Sequence, residues 1–428
     1  MVPIIATLIV VGALALILTD KLNHAIAAVG GAAVMVVAGL IWGFYSQEQA
    51  LDSMEFEALA LLLGMMTLVS ILEPSGFFQY AAIKAGHLSR GNPWRLLLLL
   101  GAGTALVSLF FNNVTTVVLF GPITILITEL LGINPIPILM AQALLSDTAD
   151  VGTSVGDPAS VLVASASGYT FTDFLTHAMP IVAVAALVTL FMLRFLFSKE
   201  LAQKPLKPDL VMKLDADEAL QDRVTAKRVL LILAVVIILF IFQRPLNLSS
   251  ELIALCGAAA ALVWVRPNIR EVLLRVDWSV LVFFMGLFIM VGGLDAAGVF
   301  EPIAEALSPI GQTNPRLLGV IIIWVVAGLS ALVDNVPVTI AMISLLTGLA
   351  VTGVNINALW WAVVFGAGFG GNATKIGSGA NILIVSLSER TNTPITGRLW
   401  SRRGLPIAIV TCVVGSILFV LFYPWLSR

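Results

Sequence analysis

Polar residues interrupt apolar segments twice in the first half of this chain, and twice more, in the same order, in the second half. The four interruptions cover residues 111–116, 147–158, 333–337 and 370–379. Lipid cannot satisfy the hydrogen bonds of irregular backbone, so such breaks persist at membrane depth only where they line a cavity enclosed by protein. Paired breaks at corresponding places in two halves are typical of the binding site of a secondary transporter. We therefore expect a membrane carrier.

The composition agrees with a membrane protein. Hydrophobic residues make up 59% of the chain and charged residues 11%, and the mean hydropathy is +1.03. The net charge of −2 and the scattered basic residues do not favour nucleic-acid binding. Two cysteines in apolar stretches predict no disulfide framework, and neither a metal-ligand spacing nor a phosphate-binding loop is present in the sequence. We expect an all-α polytopic membrane protein that is not an enzyme and carries no cofactor or metal.

Hydropathy divides the chain into two repeats, residues 1–198 and 229–428, joined by a polar linker at 199–228 that we assign to the cytoplasm. Each repeat is predicted to hold about five transmembrane helices, one of them broken, and one re-entrant hairpin. The hairpins cover about residues 96–131 and 316–351. The spans are predicted to begin near residues 3, 24, 56, 135 (broken), 178, 227, 251, 278, 357 (broken) and 405.

Internal duplication accounts for this arrangement. A shift of 222 positions places Gly64 on Gly286 and Asn113 on Asn335, and a shift of 221 places Thr153 on Thr374. Loop charge indicates that the second repeat is inverted, because the loop after the second span is acidic in the first repeat and basic in the second. Basic short loops stay in the cytoplasm, so both termini are predicted to lie on the outer side.

The four motifs resemble those of the arsenite efflux and sodium/proton antiporter (ArsB/NhaD) family within the ion transporter superfamily. These motifs are Phe-Asn-Asn-Val-Thr-Thr from residue 111, Val-Gly-Asp-Pro from 155, Asp-Asn-Val-Pro from 334 and Gly-Gly-Asn-Ala-Thr-Lys from 370. The resemblance implies hairpin and broken-helix tips that meet at mid-membrane, an elevator-type motion and a homodimer formed through a scaffold domain. It also implies that a soluble arsenite ATPase is a possible partner.

Amide and hydroxyl side chains at the breaks are the candidate substrate ligands, because a break frees backbone groups and the neighbouring glycines allow close approach. The alternative interpretation is that these side chains only join helices and that the glycines allow tight packing. The candidate substrate-binding residues are Asn112, Asn113, Thr115, Thr116, Thr153, Asp334, Asn335, Asn372 and Thr374.

Carboxylates within the membrane are candidates for proton coupling, because an ionisable group there costs at least about 2.5 kcal/mol. Asp157 has the alternative role of capping the helix that follows it. Lys375 replaces Ser154 of the first repeat; it either pairs with Asp150 or Asp334 or extends to the membrane interface. The candidate proton-coupling residues are Asp147, Asp150, Asp157, Asp334 and Lys375.

The stretch Asp147-Thr148-Ala149-Asp150 resembles the acidic stretch of arsenite pumps. The resemblance therefore implies a secondary transporter in a bacterial cytoplasmic membrane that exports arsenite, and antimonite as a second substrate, in exchange for protons. Arsenite is an uncharged trihydroxide near neutral pH, and it suits amide, hydroxyl and carboxyl partners. Sodium/proton antiport is the first alternative, because the loop beginning at Gly370 and Gly371 resembles the antiporter form. A dicarboxylate or other anion carrier is less favoured, since four intramembrane carboxylates would repel it, and a channel or receptor remains the alternative of a different class.

Overall fold

The computed structural model describes residues 1–18, 22–206, 208–391 and 393–428. This part of the chain is helical and contains no strand. Position 207 of the predicted linker lies outside the described residues. The first repeat contains α1 (Val2–Leu18), α2 (His24–Trp42), α3 (Gln47–Asp52), α4 (Phe56–Leu72), α5 (Phe77–Ser89), α6 (Pro93–Ser108), α7 (Asn113–Leu131), α8 (Ile136–Ala149), α9 (Pro158–Ser167), α10 (Phe171–Asp173) and α11 (Met179–Leu196).

Three short helices occupy the linker region, and the second repeat then follows the order of the first. Short 3-10 turns at Glu73–Ser75 and Asp150–Gly152 and a π-helical turn at Phe174–Ala178 join helices of the first repeat. The remaining helices are α12 (Ser198–Leu201), α13 (Pro208–Met212), α14 (Ala216–Ala219), α15 (Arg223–Ile241), α16 (Gln243–Leu246), α17 (Ser250–Val265), α18 (Ile269–Arg275), α19 (Trp278–Ala296), α20 (Glu301–Thr313), α21 (Pro315–Ser330), α22 (Asn335–Val351), α23 (Asn357–Gly371), α24 (Gly379–Ser388), α25 (Gly397–Leu421) and α26 (Tyr423–Leu426).

The two repeats pack on each other through the helices α2, α4, α17 and α19. A Cβ added to Gly64 of α4 would lie 2.7 Å from the carbonyl carbon of Ala254 in α17, and one added to Gly286 of α19 would lie 2.7 Å from that of Ala28 in α2. Only glycine permits such close helix contact. Because Gly64 and Gly286 are the same position in the two repeats, these paired contacts confirm the predicted inverted-repeat fold.

Both predicted hairpins and both predicted broken helices are present. The first hairpin consists of α6 and α7 and the second of α21 and α22, and their tips fall at residues 109–112 and 331–334. The first broken helix consists of α8 and α9 and the second of α23 and α24. Asp157 and Ser378 accept hydrogen bonds from the backbone N–H groups of Ala159 and Ala380, and they cap the second arms. The predicted capping role of Asp157 is therefore confirmed.

Seven helices in the described part of the chain are long and apolar enough to cross a membrane. The prediction of ten spans counted several segments that form shorter apolar helices, including α1, α17 and the arms of the second broken helix. The last long helix begins at Gly397, where residue 405 was predicted. The guanidinium of Arg403 donates to the carbonyl oxygen of Leu196 and to Glu200 Oε1, 3.4 Å away, and these bonds hold the polar first turns of α25 in helical form.

Candidate functional site

Each hairpin tip is joined to the broken helix of its own repeat by the same hydrogen bonds. Ser108 Oγ donates to the carbonyl oxygen of Ser146 over 3.3 Å, and its counterpart Ser330 Oγ donates to that of Ala367 over 2.9 Å. Thr153 Oγ1 donates to the carbonyl oxygen of Leu109 and Thr374 Oγ1 to that of Ala331. The hairpin and broken helix of one repeat therefore form a unit, and Thr153 and Thr374 serve to hold it together.

Each hairpin tip also contacts the second arm of the other repeat's broken helix. Asn335 Nδ2 donates to Asp157 Oδ1 over 3.0 Å, and Asn113 Nδ2 lies 3.5 Å from Ser378 Oγ. These two contacts are equivalent, because Asn113 corresponds to Asn335 and Ser378 to Asp157. The two breaks and the two tips thus converge on one polar centre that neither repeat can build alone.

Asp147 is the hydrogen-bonding hub of this centre. Its Oδ1 accepts a hydrogen bond of 2.8 Å from Asn113 Nδ2 and another of 2.8 Å from Ser378 Oγ. Its Oδ2 is buried and has no hydrogen-bond partner within the described part of the chain. The corresponding residue of the second repeat is Gly368, so the hub is asymmetric. A buried carboxyl group with one free oxygen and no neighbouring cation is suited to carry a proton.

Asp150 lies one turn further along the first broken helix, in the 3-10 turn that ends the first arm. Its side chain is buried, and its Oδ2 has no hydrogen-bond partner among the described residues. Asp150 does not line the cavity between the hairpin tips and the second arms, whereas Asp157 does. The structure therefore brings the predicted carboxylates into one cluster, with Asp157 and Asp334 at the cavity and Asp150 behind them.

A cavity of about 530 Å³ opens onto both hairpin tips and both second arms. Its other wall is formed by the N-terminal ends of α2 and α19. Asn112, Asn113, Asp334 and Asn335 line it, as predicted. The described lining residues comprise Leu22, Asn23, His24, Ala25, Asn112, Asn113, Val114, Asp157, Pro158, Asp277, Ser279, Val280, Phe283, Phe284, Asp334, Asn335, Val336, Ser378, Gly379 and Ile382.

The wall of the cavity is acidic. Asp157, Asp277 and Asp334 contribute carboxyl groups to its wall, and the described lining residues include neither lysine nor arginine. His24 also lies in the wall and interacts electrostatically with Asp334. Such a wall attracts cations, accepts neutral hydrogen-bonding solutes and repels free anions.

Five of the predicted substrate ligands lie outside the cavity in this conformation. Thr116 Oγ1 donates to the carbonyl oxygen of Asn112, and Thr115 lines only a separate space of about 40 Å³. Asn372 Nδ2 donates to Thr148 Oγ1 over 3.0 Å, which ties the second broken helix to the first. Thr116 and Asn372, like Thr153 and Thr374, stabilise the tips and breaks because their hydrogen bonds go to the protein itself.

Lys375 also lies away from the cavity. Its side chain is exposed, its methylene groups lie near Gly397, and it makes no ion pair with Asp150, Asp334 or any other described residue. The predicted pairing of Lys375 with Asp150 or Asp334 is therefore absent from this conformation, because the side chain extends to the exposed surface beside Gly397.

The sequence prediction missed three residues of the site. Ser378 lies within the polar interruption at residues 370–379, and its correspondence to Asp157 was sufficient to identify it. His24 and Asp277 belong to the ends of helices in the packing layer between the repeats, and they reach the site only through tertiary packing.

Comparison with known proteins confirms a membrane transporter, and it matches a citrate transporter family, where the motifs suggested the arsenite efflux and sodium/proton antiporter family. The family profile described as "CitMHS: Citrate transporter" matches residues 14–366. The chain is 36% identical to the uncharacterized transporter Rv2684 of Mycobacterium tuberculosis over 99% of this chain and 98% of that one. It is 29% identical to the human P protein over 96% of this chain and 59% of that protein.

A solved structure shares the fold. The YdaH transporter of Alcanivorax borkumensis, described as having an unusual topology, superposes with a TM-score of 0.58 at 14% sequence identity. The superposition covers 94% of this chain and 97% of that chain. At this identity the likeness concerns the fold alone.

Proposed function

The chain is a membrane transporter of the citrate transporter (CitMHS) family, and from that premise we propose that it is a proton-coupled secondary carrier of a small uncharged solute. Arsenite, with antimonite as a second substrate, is the solute that we propose. The observation that carries this proposal is the acidic cavity at the meeting point of the two repeats, whose described wall contains three carboxyl groups and no lysine or arginine.

The chemistry of the wall favours a neutral polyhydroxy solute. Asn112, Asn113 and Asn335 offer amide groups, Ser378 offers a hydroxyl, and Asp157 offers a carboxyl oxygen. Arsenite presents three hydroxyl groups and bears no charge near neutral pH, so it can donate to and accept from such partners without electrostatic cost. Its capture by three thiolates is not part of the proposal, because Cys256 and Cys412 belong to α17 and α25, outside the cavity wall.

Proton coupling is supported by the buried carboxyl cluster. Asp147 is linked to the first hairpin tip through Asn113 and to the second arm of the second broken helix through Ser378, so adding or removing its proton changes the hydrogen bonds that hold the cavity together. Asp150, Asp157 and Asp334 lie in the same cluster, and their mutual repulsion when ionised favours sharing of protons. In this proposal the exchange of a proton against the solute drives efflux.

The remaining expectations form part of the same proposal. By loop charge, the cavity opens toward the cytoplasm in this structure and both termini lie outside. We propose an elevator-type motion of the hairpins and broken helices against the packing layer of α2, α4, α17 and α19.

A homodimer, a cytoplasmic (inner) membrane location and an occasional soluble arsenite ATPase partner follow from the resemblance. In this proposal the charge of Lys375 takes part in proton coupling only in the conformation that encloses this side of the protein, because the side chain is exposed in the present one.

Citrate is the second candidate, and the description of the matching family favours it. A free tricarboxylate is disfavoured by the three carboxyl groups of the wall, which would repel it in a poorly hydrated cavity. Sodium/proton antiport is the third candidate, since the same carboxyl and amide oxygens are ligands suited to a small cation.

Counterflow in proteoliposomes separates these candidates. Purified protein is reconstituted in vesicles loaded with unlabelled arsenite, citrate or sodium, and the entry of the same labelled solute is followed at equal pH on both sides. We expect saturable counterflow of arsenite that antimonite inhibits, and none of citrate or sodium. Counterflow of citrate or sodium without counterflow of arsenite would overturn the proposed substrate.

A further inference from the structure

A second, smaller vestibule lies on the other side of the molecule. It has a volume of about 180 Å³, and Glu57, Ser154 and Glu251 are among its walls. Its residues correspond through the repeat to those of the main cavity. Glu57 corresponds to Ser279. Because Gly64 contacts Ala254 as Gly286 contacts Ala28, Ser249 and Ser250 at the start of α17 correspond to Asn23 and His24 at the start of α2. Unlike the main cavity, it does not reach the hairpin tips. The two spaces are therefore counterparts, and one of them is closed.

A hydrogen bond joins the wall of the smaller vestibule to the packing layer. Ser165 Oγ, on α9, donates to Glu55 Oε2 over 3.0 Å, and both residues are partly buried. Glu55 immediately precedes α4 and makes no capping bond to that helix. The bond therefore joins the second arm of the first broken helix to the packing layer beside the vestibule, whose wall includes Ser165.

The counterpart of this pair is open. Asp277 precedes α19 as Glu55 precedes α4, and Ser386 is the eighth residue of α24 as Ser165 is the eighth of α9. Asp277 and Ser386 are both exposed, and no hydrogen bond joins them in the described structure. Instead, Asp277 Oδ1 accepts a bond of 3.3 Å from the backbone N–H of Val280 and caps its own helix. Asp277 lines the open cavity.

Helix packing and burial follow the same asymmetry. Helix α4 packs against α9, whereas their counterparts α19 and α24 make no comparable contact in the described structure. Likewise, α19 packs against α22, whereas their counterparts α4 and α7 make no comparable contact there. Ser154 is 1% exposed on the closed side, and its counterpart Lys375 is exposed on the open side. The hydrogen bond between Ser165 and Glu55, the helix packing and the burial of Ser154 thus distinguish a closed side from an open one.

We propose that the smaller vestibule is the other end of the transport path, and that Glu55–Ser165 and Asp277–Ser386 are reciprocal gates of which one is closed at a time. This inference rests on the proposed alternating transport and not on the identity of the solute. When the hairpins and broken helices shift, the bond between Ser165 and Glu55 breaks, and Asp277 leaves its helix cap to accept a hydrogen bond from Ser386. Lys375 is then enclosed as Ser154 is here.

Paired cysteines test the gates directly. In a cysteine-free background (Cys256→Ser, Cys412→Ala), Glu55→Cys/Ser165→Cys and Asp277→Cys/Ser386→Cys are cross-linked by mild oxidation in lipid nanodiscs. The four single-cysteine variants are the controls. We expect both pairs to cross-link, and each disulfide to stop transport reversibly when the protein is reconstituted. Cross-linking of Asp277→Cys/Ser386→Cys that leaves transport at the wild-type rate, or its failure to cross-link in transport-competent protein, would overturn the proposal.

Maleimide labelling provides a second measurement that needs no substrate. Ser154→Cys and Lys375→Cys report on the two sides. We expect Ser165→Ala to raise the labelling rate of Ser154→Cys by about fivefold and Ser386→Ala to lower it by a similar factor, the ratio for a hydrogen bond of about 1 kcal/mol. Equal effects of the two alanine substitutions would contradict reciprocal gating. Because labelling requires no solute, a failure of the arsenite proposal would leave this result unaffected.

Discussion

Asn335, at the tip of the second hairpin, donates a hydrogen bond of 3.0 Å to Asp157, which begins the second arm of the first repeat's broken helix. The bond crosses from one repeat to the other, and the weaker contact of Asn113 with Ser378 is its counterpart. The polar centre therefore depends on both repeats at once. A change in the hydrogen bonding or protonation at either tip acts on the other half of the molecule.

Substitution of Asn335 by alanine tests this dependence. The change leaves Asp157 Oδ1 buried without its donor, at a cost of about 1–3 kcal/mol, so we expect transport to fall at least about fivefold while membrane insertion is retained. Asn357→Ala is the matched control, since the Asn357 side chain bonds only weakly to the carbonyl oxygen of Ser427 at the surface. Solute uptake and size-exclusion profiles of both variants provide the measurement, and wild-type uptake in Asn335→Ala would contradict the assignment.

Asp147→Asn separates proton coupling from solute binding. Asparagine keeps an oxygen that can accept from Asn113 or Ser378, but it cannot take up or release a proton. We expect solute counterflow to persist at a reduced rate and accumulation driven by a pH gradient to disappear.

Asp52→Asn is the control for that substitution, because Asp52 is exposed at the end of α3 and away from the main cavity. It should leave both activities unchanged. Gradient-driven accumulation at the wild-type level in Asp147→Asn would show that this carboxyl group is not the coupling residue.

The packing layer predicts a paired effect on stability. In Gly64→Ala and Gly286→Ala the new methyl group would lie 2.7 Å from a backbone carbon of the neighbouring helix, so the helices must separate. We expect each change to destabilise the protein by about 1–3 kcal/mol. Gly30→Ala in α2 meets nothing within 4 Å and should have no such effect. Thermal unfolding in detergent measures all three, and equal Tm values would contradict the close contacts.

The repeat arrangement could be predicted from sequence because its signals are local. The tips at Asn113 and Asn335 and the breaks after Asp147 and Gly370 follow from polar residues within apolar runs, and the structure has helix ends at these places. The amphipathic helices α5 and α20 were missed. Their buried residues alternate with charged ones, for example Ala304 and Ser308 with Glu305, so hydropathy alone reads them as loops.

The site could be predicted only in part. The carboxyl and amide residues were identified from their position in the breaks, but which of them face the cavity depends on helix rotation and on contacts between repeats. The hydroxyl groups of Thr153 and Thr374 donate to carbonyl oxygens of the hairpins, whereas the side chain of Lys375, next to Thr374 in the same motif, is exposed. His24 and Asp277 carried no local signal, since they join the site only through the packing of α2 and α19.

The central claim is that this carrier exchanges protons for an uncharged solute, and uptake of arsenite into sodium-free proteoliposomes with an acidic lumen tests it most directly. Protons that leave the lumen should drive arsenite inward, and a lumen-positive potential should drive the same uptake because only the proton carries charge. We predict accumulation above the level of empty liposomes that collapses when a protonophore is added. Uptake that requires sodium and ignores the pH gradient would contradict the account.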